Sequence, residues 1–210
     1  KKSILFIILL LLPLISRAQG EANIWYFGIN AGLDFNSGSP VALLDSQMTT
    51  DEGCAVLSNS AGQLLFYTDG STVWNKNHQV MQNGSGLLGH YSSSQSATII
   101  QKPGSSNLFY VFTIDAEGGA NGFRYSVIDI LLDNGLGAIT TKNILIYTPT
   151  CEKLSVVKHA NGMDFWVLTH GINNTFYSYL LTPSGINTSP LISNIGKDLG
   201  ISLYGSASQG

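Results

Sequence analysis

The sequence is short of charge, and shortest of arginine. Only 11% of its 210 residues are charged, and the two arginines are Arg17 and Arg124. If residues 1–18 are removed, seven basic residues stand against thirteen acidic ones, a formal charge of −6. That balance excludes a phosphate-tracking nucleic-acid partner, and it gives no attraction to an anionic lipid surface. A single remaining arginine also leaves no cluster that would clamp a sugar carboxylate. Helical pattern is missing as well. After Gly20 no stretch holds a 3.6-residue apolar period over the ten or more residues a helix needs, so helices are expected to be nearly absent. Cysteine is confined to Cys54 and Cys151, too few for a four-ligand structural zinc site of cysteines. The pair leaves two readings open, a disulfide in an oxidising compartment or two buried thiols.

What is present begins with a leader. Lys1 and Lys2 precede a nearly unbroken apolar run over residues 4–15, and Ser16-Arg17-Ala18 offers small residues at −3 and −1. This is the pattern of a signal peptide over residues 1–18 cleaved after Ala18. An N-terminal membrane anchor is the weaker reading, because a span needs about 20 apolar residues and Pro13 interrupts this run. The expectation is therefore an exported protein, at the cell surface or extracellular, without stable membrane insertion once the leader is removed.

The mature chain, residues 19–210, reads as all-β. Short runs rich in Val, Ile, Leu, Phe, Tyr and Thr are bounded by Asn, Asp, Gly and Ser, the signature of strands and tight turns. These runs repeat. Residues 54–69, 96–115 and 154–170 each read as apolar strand, Gly- or Asn-containing turn, and aromatic-rich strand, and each is followed by a further strand. Blade-like repeats near 52–90, 95–148 and 152–190, with a partial one at 24–44, are how β-propellers look in sequence. A β-sandwich would explain strands and turns but not the threefold return of one hairpin. The Gly- and Ser-rich stretch 196–210 supplies no closing strand, so the expected fold is a partial propeller, truncated at its C-terminal side.

Four motifs carry a family resemblance. They are Trp25-Tyr26-Phe27-Gly28 with Gly32-Leu33-Asp34-Phe35, Asp51-Glu52-Gly53-Cys54-Ala55, Leu64-Leu65-Phe66-Tyr67-Thr68-Asp69-Gly70 with Val73-Trp74-Asn75, and Glu152-Lys153-Leu154 with Val157-Lys158-His159-Ala160-Asn161-Gly162. Together they resemble the amino-terminal propeller region of large surface proteins of gliding-type Gram-negative bacteria, often labelled gliding-motility-associated. The resemblance implies export through the type IX secretion system and further modules downstream. It carries no catalytic residue onto this chain.

No catalytic set is assigned from the sequence. Thr68-Asp69-Gly70-Ser71-Thr72-Val73-Trp74 approaches the Asp-box turn of sialidase-like propellers, but the Gly follows the Asp directly and an extra residue separates Thr from Trp, so Asp69-Gly70 reads as a turn. Glu52 and Glu152 hold equivalent places at the starts of the first and third repeats, with Gln95 between them in the second. That position reads as an architectural polar site, with a ligand or cation role for Glu52 and Glu152 as the weaker reading. The alternative is a carbohydrate-active enzyme that uses Glu52 and Glu152 as a channel carboxylate pair. Neighbouring strand residues point to opposite faces, which separates Asp51 from Glu52. His78, His90, His159 and His170 lack zinc-motif spacing and read as surface or turn residues, so no metal and no cofactor is expected. Gly84-Ser85-Gly86 resembles a phosphate loop in glycine content alone. Trp74 and Trp166 are the candidate stacking surfaces for a sugar or a protein partner. The reading from sequence is a non-enzymatic binding or structural module that contacts glycans or other surface proteins.

Overall fold

The computed structural model describes residues 20–171, 173–196 and 198. The expected signal peptide at 1–18 lies outside the described residues, as does most of the 196–210 tail. The described chain is all-β. A single 3-10 turn at Gly20–Ala22 and one helical turn at Leu132–Gly135 are the helical elements among the described residues, and Asp133 and Asn134 in the latter have positive φ.

The first sheet is a three-stranded antiparallel meander of β1 (Ile24–Phe27), β2 (Ala31–Asp34) and β3 (Val41–Leu43). Its side chains alternate as a half-buried strand requires. Ile24 and Tyr26 are buried, while Trp25 and Phe27 are exposed.

The second sheet has eight strands. β4 (Ala55–Ser58), β5 (Leu64–Thr68), β6 (Thr72–Asn75) and β7 (Val80–Ser85) form one antiparallel meander, and β8 (Ala97–Gln101), β9 (Leu108–Ile114), β10 (Phe123–Asp129) and β11 (Ala138–Tyr147) form another. Their outer strands join through a single parallel bridge, Gln82 to Ala138. Side chains reinforce that thin seam: Asn83 Nδ2 donates to Ile139 O at 3.0 Å, and Asn143 Nδ2 donates to Gly86 O at 2.8 Å. At the other end of the order β4 comes back against β8, so the sheet is nearly closed and barrel-like. Phe66, Val73, Met81, Phe109, Val111 and Ile128 fill the space between its two halves.

The third sheet holds β12 (Thr150–Lys158), β13 (Phe165–Gly171), β14 (Thr175–Thr182) and the two-residue β15 (Gly185–Ile186), with β16 (Leu191–Asn194) also paired to β14. β16 lies just beyond the expected repeat limit at 190. Its residues are all exposed, so it carries no alternation from which a strand could be read. β7 went unread for a similar reason, since Asn83, Gly84 and Ser85 look like loop.

The opening hairpin of each repeat closes with the same bond. Asn59 N donates to Gln63 O, Lys102 N to Leu108 O, and His159 N to Asp164 O, each at 2.8 Å. The strand registers that follow match between the second and third repeats. Ile99↔Val111 and Ile100↔Tyr110 correspond to Val156↔Val167 and Val157↔Trp166. Sheets stack through alternate residues. Tyr110, Phe112, Ile114 and Phe123 of the second repeat pack on Leu154, Val167, Tyr179 and Leu181 of the third. Several of these side chains are fully buried, each stabilising the fold by about 1.5–3 kcal/mol relative to exposure.

Candidate functional site at the repeat junctions

The polar residues singled out from the sequence gather where one repeat starts beside the next. The innermost strands β4, β8 and β12 lie side by side, and the segments leading into them exchange hydrogen bonds. Between the first and second repeats, Gly53 N donates to Ser93 O at 2.9 Å and Ser96 Oγ donates to Gly53 O at 2.6 Å. Thr50 Oγ1 donates to Tyr91 O at 2.8 Å in the same seam. The approach is so close that a Cβ on Gly53 would stand 2.3 Å from Ser96 N, which explains a glycine here.

Between the second and third repeats the seam is built from side chains. Glu152 is 4% exposed, and its carboxylate accepts from two backbone groups, Ser94 N at Oε2 and Glu117 N at Oε1, both at 2.8 Å. Gln95 answers from the other side, its Oε1 accepting from Leu154 N at 2.6 Å. Both carboxylate oxygens of Glu152 are thus held by the loops before β8 and after β9. Glu52 differs. It lies in a bend ahead of β4, exposed like Asp51, and both backbone N–H groups donate to Tyr91 O. The two are therefore not in a strand, and the opposite-faces argument for Asp51 and Glu52 does not apply to them.

Trp74 lies in the core between the first sheet and β5. It is 8% exposed and stacked on Tyr67, with ring centroids 5.3 Å apart and planes 15° from parallel. Trp166 stays partly exposed on the third sheet, its ring 5.4 Å from that of His159. The cysteines are both free thiols. Cys54 Sγ donates to Tyr26 O at 3.2 Å and Cys151 Sγ to Gly171 O at 3.0 Å, so of the two readings the bridge is not formed. Burial pushes both thiols up from their ordinary pKa.

Asp69 makes the expected turn, Oδ1 accepting from Ser71 N, Ser71 Oγ and Thr72 N at 2.7–2.8 Å. His78, His90 and His159 lie outside the strands, His78 in a bend and the other two just ahead of turns. His170 corrects the expectation for histidines. It lies in β13, only 7% exposed, with its ring 4.2 Å from Phe176 and its Nδ1 without a hydrogen-bond partner. Burial holds its pKa below the ordinary value, against a backbone hydrogen bond to Gly171. It borders a cleft of about 150 Å³ with Gln95, Lys153, Leu154 and Phe176. Among the described residues no group of three or more His, Cys, Asp and Glu is placed to hold a metal.

One polar network was not visible in the sequence. Tyr26 Oη donates to Asp45 Oδ1 at 2.8 Å, His78 Nε2 lies 3.3 Å from Asp45 Oδ2, and His78 Nδ1 lies 3.3 Å from Tyr67 Oη. It fastens the first sheet to β5, and burial together with the Asp45 carboxylate raises the pKa of Tyr26. The signal was unreadable because Asp45 and His78 lie in segments without periodicity. Comparison with family models, curated proteins and solved structures gives no match.

Proposed function

We propose that this chain is a propeller-like array of repeats that serves as a non-enzymatic binding or structural module of an exported cell-surface protein. The propeller reading is supported by three hairpin-led meanders, two within the eight-stranded sheet and one in the third sheet, whose first strands, β4, β8 and β12, lie side by side, with β1 beside β4. One observation carries the functional reading. The buried carboxylate of Glu152 is held at both oxygens by backbone N–H groups of the neighbouring repeat, so the repeat-start acid joins sheets. Two carboxylates that cleave a glycosidic bond instead flank the sugar across an open site.

The resemblance to gliding-motility-associated surface proteins supports export and a role in adhesion or glycan contact. Trp25, 52% exposed, and the partly exposed Trp166 offer flat apolar surface to a sugar ring or a protein partner. The test is retention of the chain from residue 19 onward on immobilised polysaccharides and on bacterial surface-protein extracts. Retention that weakens in Trp25→Ala or Trp166→Ala is expected. No retention on either support would overturn the adhesive reading.

A further inference from the structure

The interior sheet contacts define a set of positions, and among the described residues the same set, His170 apart, recurs largely uncovered on the third sheet. In the second repeat, Ile100, Tyr110, Phe112 and Ile114 form the face that receives the third repeat. The matching registers of the two hairpins place Val157, Trp166, Leu168 and His170 at the equivalent positions. The third strands agree. Phe123 and Val127 pair with Ile114 and Tyr110, and their counterparts Phe176 and Leu180 pair with His170 and Trp166. In the second repeat this face is covered. In the third, Val157 is 53% and Phe176 36% exposed, and Trp166, Leu168 and Leu180 are partly exposed. None of these five carries charge.

The opposite end of the stack shows the complementary gap. β1 buries Ile24 and Tyr26 against Met48, Tyr67 and Trp74. Its other face turns Trp25 and Phe27 outward at 52% and 40% exposure, with Leu33 paired beside Trp25. Among the described residues each four-stranded meander of the second sheet is covered on both faces, whereas the first and third sheets each leave one apolar face open, and these faces are of opposite kind. One is a receiving face and the other an inserting face. A contact between unlike faces is heterologous, so it extends head to tail.

We propose that the receiving face of the third sheet docks the inserting face, Trp25 and Phe27, of a second copy of this chain. The contact continues the sheet-on-sheet packing already present between the second and third repeats. It rests on the stacked-repeat reading given above and is independent of any glycan partner.

The test uses the chain from residue 19 onward, which contains every described element, in sedimentation velocity from the low micromolar range to about 100 μM, where a weak protein contact is populated. The weight-average mass of the wild type is expected to rise with concentration. Trp25→Lys and Trp166→Lys, at positions that are exposed and partly exposed, are each expected to stay monomeric with an unchanged β-type circular dichroism spectrum. Mixed in equal amounts, they are expected to form a dimer and nothing larger, because each variant retains the one intact face the other needs. A wild type that is monomeric at every concentration, or a mixture that fails to dimerise, overturns the docking. Loss of the β spectrum in the wild type itself would instead overturn the repeat reading beneath it.

Discussion

The carboxylate of Glu152, at the start of the third repeat, accepts the backbone N–H of Ser94 in the second at 2.8 Å, and its other oxygen takes Glu117 N. A residue whose type suggests acid–base chemistry is thereby committed to holding two sheets together. Removing it leaves two N–H donors without their partner in a seam that is largely closed to water. Glu152→Ala is expected to destabilise the chain by about 2–4 kcal/mol, and Glu152→Gln by less because one acceptor remains. Urea denaturation followed by tryptophan fluorescence measures both, and equal stability of all three proteins would contradict the structural role.

His170 occupies the position that Ile114 fills in the preceding repeat, and burial disfavours its charged form. Its folded pKa lies below the ordinary value of 6.5, so the unfolded chain binds the extra proton first. The stability linked to this group is therefore complete above that pH and diminishes as the pH falls below it towards the folded value. His170→Ile is expected to lose less stability than the wild type between neutral pH and about pH 5. Denaturation midpoints at the two pH values check this, and an identical pH response in both proteins would exclude the linkage.

Cys54 and Cys151 each donate to a carbonyl oxygen, in the first-sheet seam and in the third sheet respectively. Alkylation in denaturant without a reductant is expected to label both, and alkylation of the folded chain to proceed slowly because burial raises both thiol pKa values. Mass spectrometry separates this outcome from a bridged chain, which would take no label until reduced.

Most of the strands were legible because they are short runs of aromatic and β-branched residues bounded by Asn, Asp, Gly and Ser. β5, β9 and β13 could be read from Leu64 to Thr68, from Leu108 to Ile114 and from Phe165 to Gly171, where aromatic and β-branched residues follow a turn. β7 and β16 could not. One sets a single buried apolar side chain, Met81, among Asn, Gly and Ser, and the other is fully exposed, so neither reads as an alternating strand. The burial of Trp74 and the internal place of His170 were also illegible, because a tryptophan beside a turn and a histidine after a strand look alike whether they face core or solvent. At the repeat junctions, Glu152 and Gln95 were found as a set from their equivalent positions. Their partners Ser94 and Glu117 belong to loops whose approach depends on how the sheets stack.

The central claim is that the buried acid at the start of the third repeat, Glu152, serves architecture and not bond cleavage, which leaves Glu52 without a partner for a carboxylate pair. The most direct measurement incubates the wild-type chain with a panel of plant, algal and bacterial polysaccharides and examines every mixture for released oligosaccharides by mass spectrometry. The account predicts no product above the protein-free control, including from polysaccharides that retain the protein. A released product that disappears in Glu52→Gln, with the fold intact, would contradict it.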